Sequence, residues 1–312
     1  MLEILLGLGG LFLTVEFWQA AVRGAAPVAA AAAGEAVTER TGVINIAIEG
    51  MMLMSAFVAV WGSGVTGSAV TGLTLGVLCG GTIAALHAAV VLFFRADQIL
   101  SGVALNLVAL GLSTYLARLV LGESPTAVAS FTTLRVPLLA DLPLVGPLFF
   151  EYHGLIYVLY GATAFAGWAL FRTHLGLRLR AVGENPAAVA NAGFRVVRLR
   201  WLATVFGGLM AGLAGGAFAL GNVRYFTENM TAGVGFVALA LVIVARWNPW
   251  WLLPAGLLYG GAQALGLRAQ TIDLPIPYEW LMALPYVLTL VVYFIVSGRK
   301  SAQPAVLGRA LD

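Results

Sequence analysis

Glu39-Arg40-Thr41-Gly42-Val43-Ile44-Asn45-Ile46-Ala47-Ile48-Glu49-Gly50-Met51-Met52 sets charges, an amide and two glycines directly against a long apolar run. The surrounding chain is 61% hydrophobic and only 10% charged over 312 residues, with a mean hydropathy of +0.94. No soluble globular domain carries that composition, because it leaves too little polar surface to face water. The expected class is an all-α polytopic membrane protein, with residues 1–312 forming one transmembrane domain. In such a protein a polar interruption of a span marks the place where solute is met.

Run length places the spans, since about 20 apolar residues cross the hydrocarbon core. They fall near 43–62, 66–94, 98–121, 151–171, 201–221, 230–246, 249–267 and 281–297. The stretch 2–36, which holds Glu16, Arg23 and Pro27, reads as one long span or two short ones, for a total of about nine or ten helices. The N-terminus has no basic n-region, so no cleaved signal peptide is expected. The loop 172–200 carries Arg172, Arg178, Arg180, Arg195, Arg198 and Arg200 against Glu184 alone, which assigns it to the cytoplasm. The C-terminal tail, with Arg299, Lys300 and Arg309, falls on the same side, and the proline-rich loop 122–150 faces outward. The protein is therefore expected in the cell's cytoplasmic membrane with its C-terminus inside. Cys79 is the single cysteine and lies in an apolar run, so neither an internal disulfide nor a thiol-ligated metal site is expected. The net charge of +3 gives no support to nucleic-acid binding.

Three sets of small residues recur at spacing four: Gly72, Gly76 and Gly80; Gly208, Gly212 and Gly216; and Gly256, Gly260 and Ala264. Each set lies on one helix face, where backbones approach closely and pack by dispersion. In the basic loop, Asn185 suits an N-cap, Pro186 the first helical position and Gly193 the C′ position. The segment reads as an isolated two-turn helix, either a connector or a knob fitted to a groove on a cytoplasmic partner.

Helical spacing puts Asn45, Glu49, Met52 and Ala56 on one face, joining a hydrogen-bonding end to an adaptable thioether end. Glu49 is the sharpest candidate for solute contact, because an ionisable group deep in a span faces a cavity or a partner. Capping a broken helix, or pairing with Arg40, remains the alternative. Asn106 and Ser113 share a second small, polar face with Gly102 and Ala109. His87 reads as a helix-packing hydrogen bonder, and Phe57, Trp61 and Tyr115 as interface anchors or stacking surfaces. Gly42-Val43 and Gly233-Val234-Gly235-Phe236 echo one another and, by the charge-based topology, run in opposite directions, as an inverted repeat of two glycine-broken helices would.

The opening stretch resembles the N-terminal signature of ABC importer permeases of the branched-chain amino acid, simple-sugar and nucleoside class. Asp97-Gln98-Ile99-Leu100-Ser101-Gly102-Val103-Ala104-Leu105-Asn106, Gly183-Glu184-Asn185-Pro186, Gly235-Phe236-Val237-Ala238-Leu239-Ala240 and Arg246-Trp247-Asn248-Pro249 extend the resemblance over almost the whole chain. The wording Gly-Val-Ile-Asn-Ile and Ser-Gly-Val-Ala-Leu-Asn is most similar to nucleoside-type permeases. The resemblance implies a tandem cytoplasmic ATPase, a second non-identical permease and an extracytoplasmic solute-binding lipoprotein as partners. The chain has no Gly-x-x-x-x-Gly-Lys-Ser/Thr loop, so it is not itself the ATP-hydrolysing part, and no cofactor or catalytic residue is expected. The resemblance makes the two-turn helix the coupling helix, with Glu184, Asn185, Pro186, Ala188 and Gly193 in the contact and Arg178, Arg180 and Arg195 flanking it. An amide and a carboxylate on a small-residue wall suit a nucleoside, and equally a simple sugar, a branched-chain amino acid or riboflavin. An ion-coupled secondary transporter and a structural or channel subunit are the readings from other classes. The first lacks a carboxylate and histidine relay, and the second leaves the capped basic-loop helix without a role.

Overall fold

A computed structural model describes residues 14–122, 127–135, 140, 145–269, 278–297 and 302–309. The helices are α1 (Val15–Glu39), α2 (Ile48–Thr66), α3 (Ala69–Leu92), α4 (Gln98–Val120), α5 (Val145–Phe150), α6 (Gly154–Arg172), α7 (His174–Glu184), α8 (Pro186–Asn191), α9 (Val196–Ala217), α10 (Val234–Val244), α11 (Pro249–Ala269) and α12 (Tyr278–Ser297). A π-helical turn, Phe218–Val223, extends α9. Strand β1 (Thr133–Arg135) pairs antiparallel with β2 (Glu151–His153), with Leu134 opposite Tyr152. Among the described residues, five helices are long and apolar enough to cross a membrane: α2, α3, α4, α6 and α9 with its π turn.

Helix α1 is long enough to cross as well, at about 37 Å for its 25 residues. Its run Ala29 to Ala33 is wholly buried, with Ala30 to Ala33 in the main core, so this part of the helix meets protein rather than lipid. Alanine fits there because it lets four neighbouring helices, α6, α9, α10 and α11, approach the same helix. Arg23 and Pro27 both lie inside this single helix; the residues before Thr14 lie outside the described ones.

The packing partners repeat. Helix α3 packs on α9 as α11 packs on α1, and α2 packs on α9 as α10 packs on α1. The glycine ladders make these approaches close. A Cβ on Gly80 would strike the Gly208 carbonyl and lie 2.8 Å from Gly212 Cα. One on Gly260 would strike the Ala21 carbonyl and lie 2.7 Å from Ala25 N. Each member of the second set runs opposite to its counterpart, the arrangement of an inverted repeat.

One end of the bundle collects Arg40, the turn Arg246–Trp247, α7, α8 and residues 302–309. Arg40 donates from Nε to the Trp247 carbonyl (3.0 Å) and from Nη2 to the Arg246 carbonyl (3.2 Å), and the Trp247 indole donates to Glu39. Those bonds hold two consecutive residues at φ 56° and 54°, a conformation that costs a side-chain-bearing residue roughly 1–2 kcal/mol.

Several boundaries differ from those expected. The stretches 43–47 and 230–233 are not helical, so α2 and α10 begin inside their apolar runs. Hydropathy registers the run and is blind to the break. Glu151–His153 is strand, and α6 starts at Gly154. The basic loop holds two helices rather than one, because Thr173 caps α7 by accepting the Gly176 N–H at 3.0 Å. Pro125, Pro137 and Pro143 of the loop 122–150, and Arg299 and Lys300 of the tail, lie outside the described residues.

Candidate functional site: two broken helices that meet

Gly42, at φ +88°, turns the chain out of α1, and α2 starts only at Ile48. The intervening backbone lies among helices, away from water, so each of its polar groups needs a partner. Side chains supply them. The Ile44 N–H donates to Gln98 Oε1 (2.7 Å) and the Asn45 N–H to Glu35 Oε1 (3.1 Å). The Ile44 carbonyl can only accept, so His87 Nε2 (3.2 Å) donates to it, and His87 Nδ1 (3.1 Å) then accepts from the Ser101 hydroxyl. Asn106 is a two-pronged clamp: Nδ2 donates to the Ile46 carbonyl (2.9 Å) and Oδ1 accepts the Gly50 N–H (2.7 Å), one of the orphan donors of the α2 N-terminus.

The second break ends at Gly233, also at φ +88°, and α10 starts at Val234. Its N-terminus points at Glu49. Glu49 Oε1 accepts from Thr231 Oγ1 (2.6 Å) and the Gly233 N–H (2.9 Å), and Oε2 accepts the Gly235 N–H (2.6 Å). A Cβ on Gly235 would lie 2.6 Å from Glu49 Cα, so only glycine lets the two helices approach this closely. The carboxylate also lies in the first turn of α2, and its negative charge therefore faces the positive ends of two helices at once. The capping alternative for Glu49 is the one its bonds display. Arg40 is engaged elsewhere.

The sequence-derived solute residues are distributed as follows. Glu49 and Asn106 meet at the crossing through Gly50. Asn45 precedes the helix instead of sharing its face with Glu49, because the break displaces the assumed helical spacing. It is fully buried, its Nδ2 lies 3.6 Å from Met51 Sδ, and its Oδ1 has no hydrogen-bond partner. Met52 is fully buried in the main core. Ser113 is buried and donates to the Leu110 carbonyl of its own helix (3.2 Å).

A cavity of about 840 Å³ opens at the end of the bundle away from Arg40. Its walls are the last turns of α2 and α4 and the loops 127–129 and 226–228, and they present Trp61, Ser63, Phe226 and Thr227. Arg118 and Glu228 pair across it, Nε to Oε1 at 2.6 Å and Nη2 to Oε2 at 3.1 Å. Beneath lies an apolar cluster of Leu53, Phe57, Leu220 and Phe226, with the rings of Phe57 and Phe226 edge to face at 5.5 Å. Along α2 the order is Glu49, Leu53, Phe57, Val60. The floor of the cavity is thus about 16 Å from the crossing, with the apolar cluster between them. None of the five sequence-derived residues lines this cavity.

At the opposite end α8 stands out from the bundle. Asn185 Oδ1 accepts the Ala188 N–H (3.0 Å), Pro186 begins the helix, and Gly193 takes φ +85° while the Phe194 N–H returns to the Val189 carbonyl (3.2 Å). Val189 alone anchors it, leaving Glu184, Asn185 and Ala188 exposed. Arg178 stacks 4.3 Å over Phe194 and Arg180 5.0 Å over Phe171; Arg195 is exposed.

Sequence reasoning passed over Glu35, Gln98 as a capping group, Thr231, and the Arg118–Glu228 pair. A carboxylate seven residues before Gly42, where the break begins, was the available sign of the first, and an amide at a span's first turn was the sign of the second.

Comparison with known proteins agrees with this architecture. The family described as "Branched-chain amino acid transport system / permease component" matches residues 20–293. The guanosine ABC transporter permease protein NupQ of Bacillus subtilis is 36% identical over 293 residues, covering 90% of this chain and 92% of its own. The nucleoside ABC transporter permease protein NupC of Lactococcus lactis is 33% identical over 288 residues, 87% of this chain and 89% of its own. The putative glucose ABC transporter permease protein TsgC13 of Haloferax volcanii is 36% identical over 259 residues, 82% and 78% respectively. No solved structure matches. With its broken helices, its capped helix at the arginine-rich end and a match over nearly its full length, the chain belongs to the branched-chain amino acid transport permease family of ABC transporters.

Proposed function

We propose that this permease carries nucleosides inward, paired with a second permease, driven by a separate ATPase and supplied by an extracytoplasmic binding protein. The observation that carries the solute is the likeness to NupQ and NupC, whose names specify guanosine and nucleoside, over about nine-tenths of the chain. The cavity chemistry supports it: Trp61 and Phe226 offer aromatic faces to a base, and Ser63, Thr227, Arg118 and Glu228 offer polar groups to ribose hydroxyls. The glucose permease among the relatives keeps a sugar as the second reading.

The arginine-rich end faces the cytoplasm, following the bias of positive charge, and with it the C-terminus lies on the cytoplasmic side of the cell membrane. The cavity then receives solute from outside, and the cluster of Leu53, Phe57 and Phe226 closes it from the crossing. Opening toward the cytoplasm parts the N-termini of α2 and α10. Glu49 and Asn106 act there by holding the crossing. Asn45, whose Oδ1 has acceptor capacity to spare, meets the solute as the crossing opens, with Met52 and Ser113 on the wall of the opened path. The ATPase receives α8 in a groove, contacting Glu184, Asn185, Pro186, Ala188 and Gly193, with Arg178, Arg180 and Arg195 around it.

The test is uptake by the complex purified from its native membrane, its subunits identified by mass spectrometry, and reconstituted in proteoliposomes with ATP inside the lumen-equivalent of the cytoplasm. Labelled guanosine uptake, competed by other nucleosides and untouched by glucose, is expected. Uptake of glucose alone would transfer the assignment to sugars. Purification of this chain without an ATPase, under conditions in which control complexes survive, would refute the ABC partnership.

A further inference from the structure

Residues 302–309 return beneath the bundle at the arginine-rich end and touch three elements that do not adjoin in sequence. The Val306 N–H donates to the Gly183 carbonyl at 3.0 Å, two residues before the cap of α8. Pro304 is buried, and a Cβ on Gly183 would lie 3.2 Å from Pro304 Cβ. The Val306 side chain covers Gly42: a Cβ there would meet Val306 Cγ2 at 2.6 Å. Gly308 lies against Ile44, whose Cδ1 is 3.1 Å from the position of a Gly308 Cβ. Gln98 closes the circuit, accepting the Ile44 N–H at Oε1 and donating from Nε2 to the Arg309 carbonyl at 3.0 Å. Ala302 and Leu307 pack on the main core, so the segment is held by apolar contact as well as by these bonds.

We propose that residues 302–309 are a strap that carries movement of α7 and α8 to the broken N-terminus of α2. The inference rests on the docking of an ATPase at α8. The Gly183 carbonyl belongs to the last turn of α7, and a shift of α8 pulls on it through Asn185. The strap bonds that carbonyl on one side and, on the other, covers Gly42 and Ile44 and shares Gln98 with the Ile44 N–H. The backbone from Gly42 to Ile46 is in turn what Glu35, His87 and Asn106 hold. Its displacement reaches Gly50 and Glu49, where α2 and α10 meet. The physical warrant is a chain of specific hydrogen bonds joining two elements that must move together, and coupling is what has to be measured.

The experiment is amide hydrogen exchange, read by mass spectrometry, on the whole reconstituted complex with and without ATP. In wild type, ATP is expected to change exchange in peptides covering both 183–192 and 40–50. In a chain ending at Ser301, the change at 183–192 remains and that at 40–50 is lost. Solute carried per ATP hydrolysed then falls by at least about fivefold, the low end of a typical coupling. Should the shortened chain not assemble, Val306→Pro removes the donor to Gly183 together with the side chain that covers Gly42, and gives the same expectation. An undiminished response at 40–50 in either assembled variant overturns the strap. So does failure of Val306→Pro to assemble, which would make the segment a structural clamp. Absence of any ATP response at 183–192 in wild type refutes ATPase docking at α8 instead, whereas both responses present without nucleoside uptake refute only the solute.

Discussion

Glu49→Gln changes no volume and removes one charge, which makes it a clean probe of the crossing. The amide keeps one oxygen, enough to accept from Thr231 and the Gly233 N–H as Oε1 does now, and turns an NH₂ toward the Gly235 N–H that Oε2 accepts at 2.6 Å. One charge-assisted hydrogen bond is lost, worth about 1.5–3 kcal/mol, and a donor faces a donor. The anion also leaves the positive ends of two helices, at about 0.3–1 kcal/mol each. The expected loss is about 2–5 kcal/mol, or on the order of 5–10 °C in the melting temperature of the assembled complex in lipid nanodiscs. Amide exchange should localise the damage to Gly233 through Val237, the first turn of α10, while α3 and α9 keep their protection. Nucleoside uptake should fall with it. A variant that melts like wild type, with the α10 N-terminus still protected, would refute the capping role; if uptake alone were lost, Glu49 would be a solute ligand after all.

Asn106→Ala leaves the Ile46 carbonyl and the Gly50 N–H without their partner, at about 1–3 kcal/mol for each buried group; Asn106→Asp, which keeps only the acceptor, should fall between the two in a thermal melt. Gly260→Val drives a side chain into the Ala21 carbonyl, and overpacking at roughly 1–3 kcal/mol or more should destabilise it in the same melt, whereas Gly161→Val, where a Cβ meets nothing within 4 Å, should match wild type. Gly193→Val has room for its side chain but not for φ +85°, so about 1–2 kcal/mol of backbone strain should shift α8 without unfolding the bundle, and ATP hydrolysed per solute carried should rise. The hydrogen bond from Arg118 holds the Glu228 carboxyl below its ordinary value of 4.5. A carboxyl lowered in the folded state contributes fully above that ordinary value and loses its contribution as pH falls through the lowered one. The pair should therefore be intact at pH 7 and open only in acid below that ordinary value; a spin label near the cavity mouth should report that opening, and Glu228→Gln should abolish its pH dependence.

The polar groups inside the spans were visible in the sequence, but their assignments were not. Asn45 and Glu49 looked like neighbours on one helical face because an apolar run with helical spacing carries no mark of where its hydrogen bonding stops. Gly42 was that mark, and its positive φ starts a break that runs to Ala47. Once the break exists, Gln98, His87, Asn106 and Glu35 are required by its bare backbone, which accounts for polar residues that would otherwise be costly in a membrane.

Local chemistry sufficed for what the chain settles by itself. Its composition demands lipid, six of its arginines gather in the loop 172–200, and the caps of α8 need only Asn185, Pro186 and Gly193, all within one short segment. The glycine ladders likewise announce close packing, since their spacing alone puts them on one face. The choice of partners was left to the tertiary structure: which helix each ladder meets, that Glu49 closes on Gly235 across 186 residues, and that Gln98 reaches Arg309 across 211. Those contacts depend on how the two inverted halves interlock, and a hydrogen bond needs its partner within about 3 Å in space, whatever the separation along the chain.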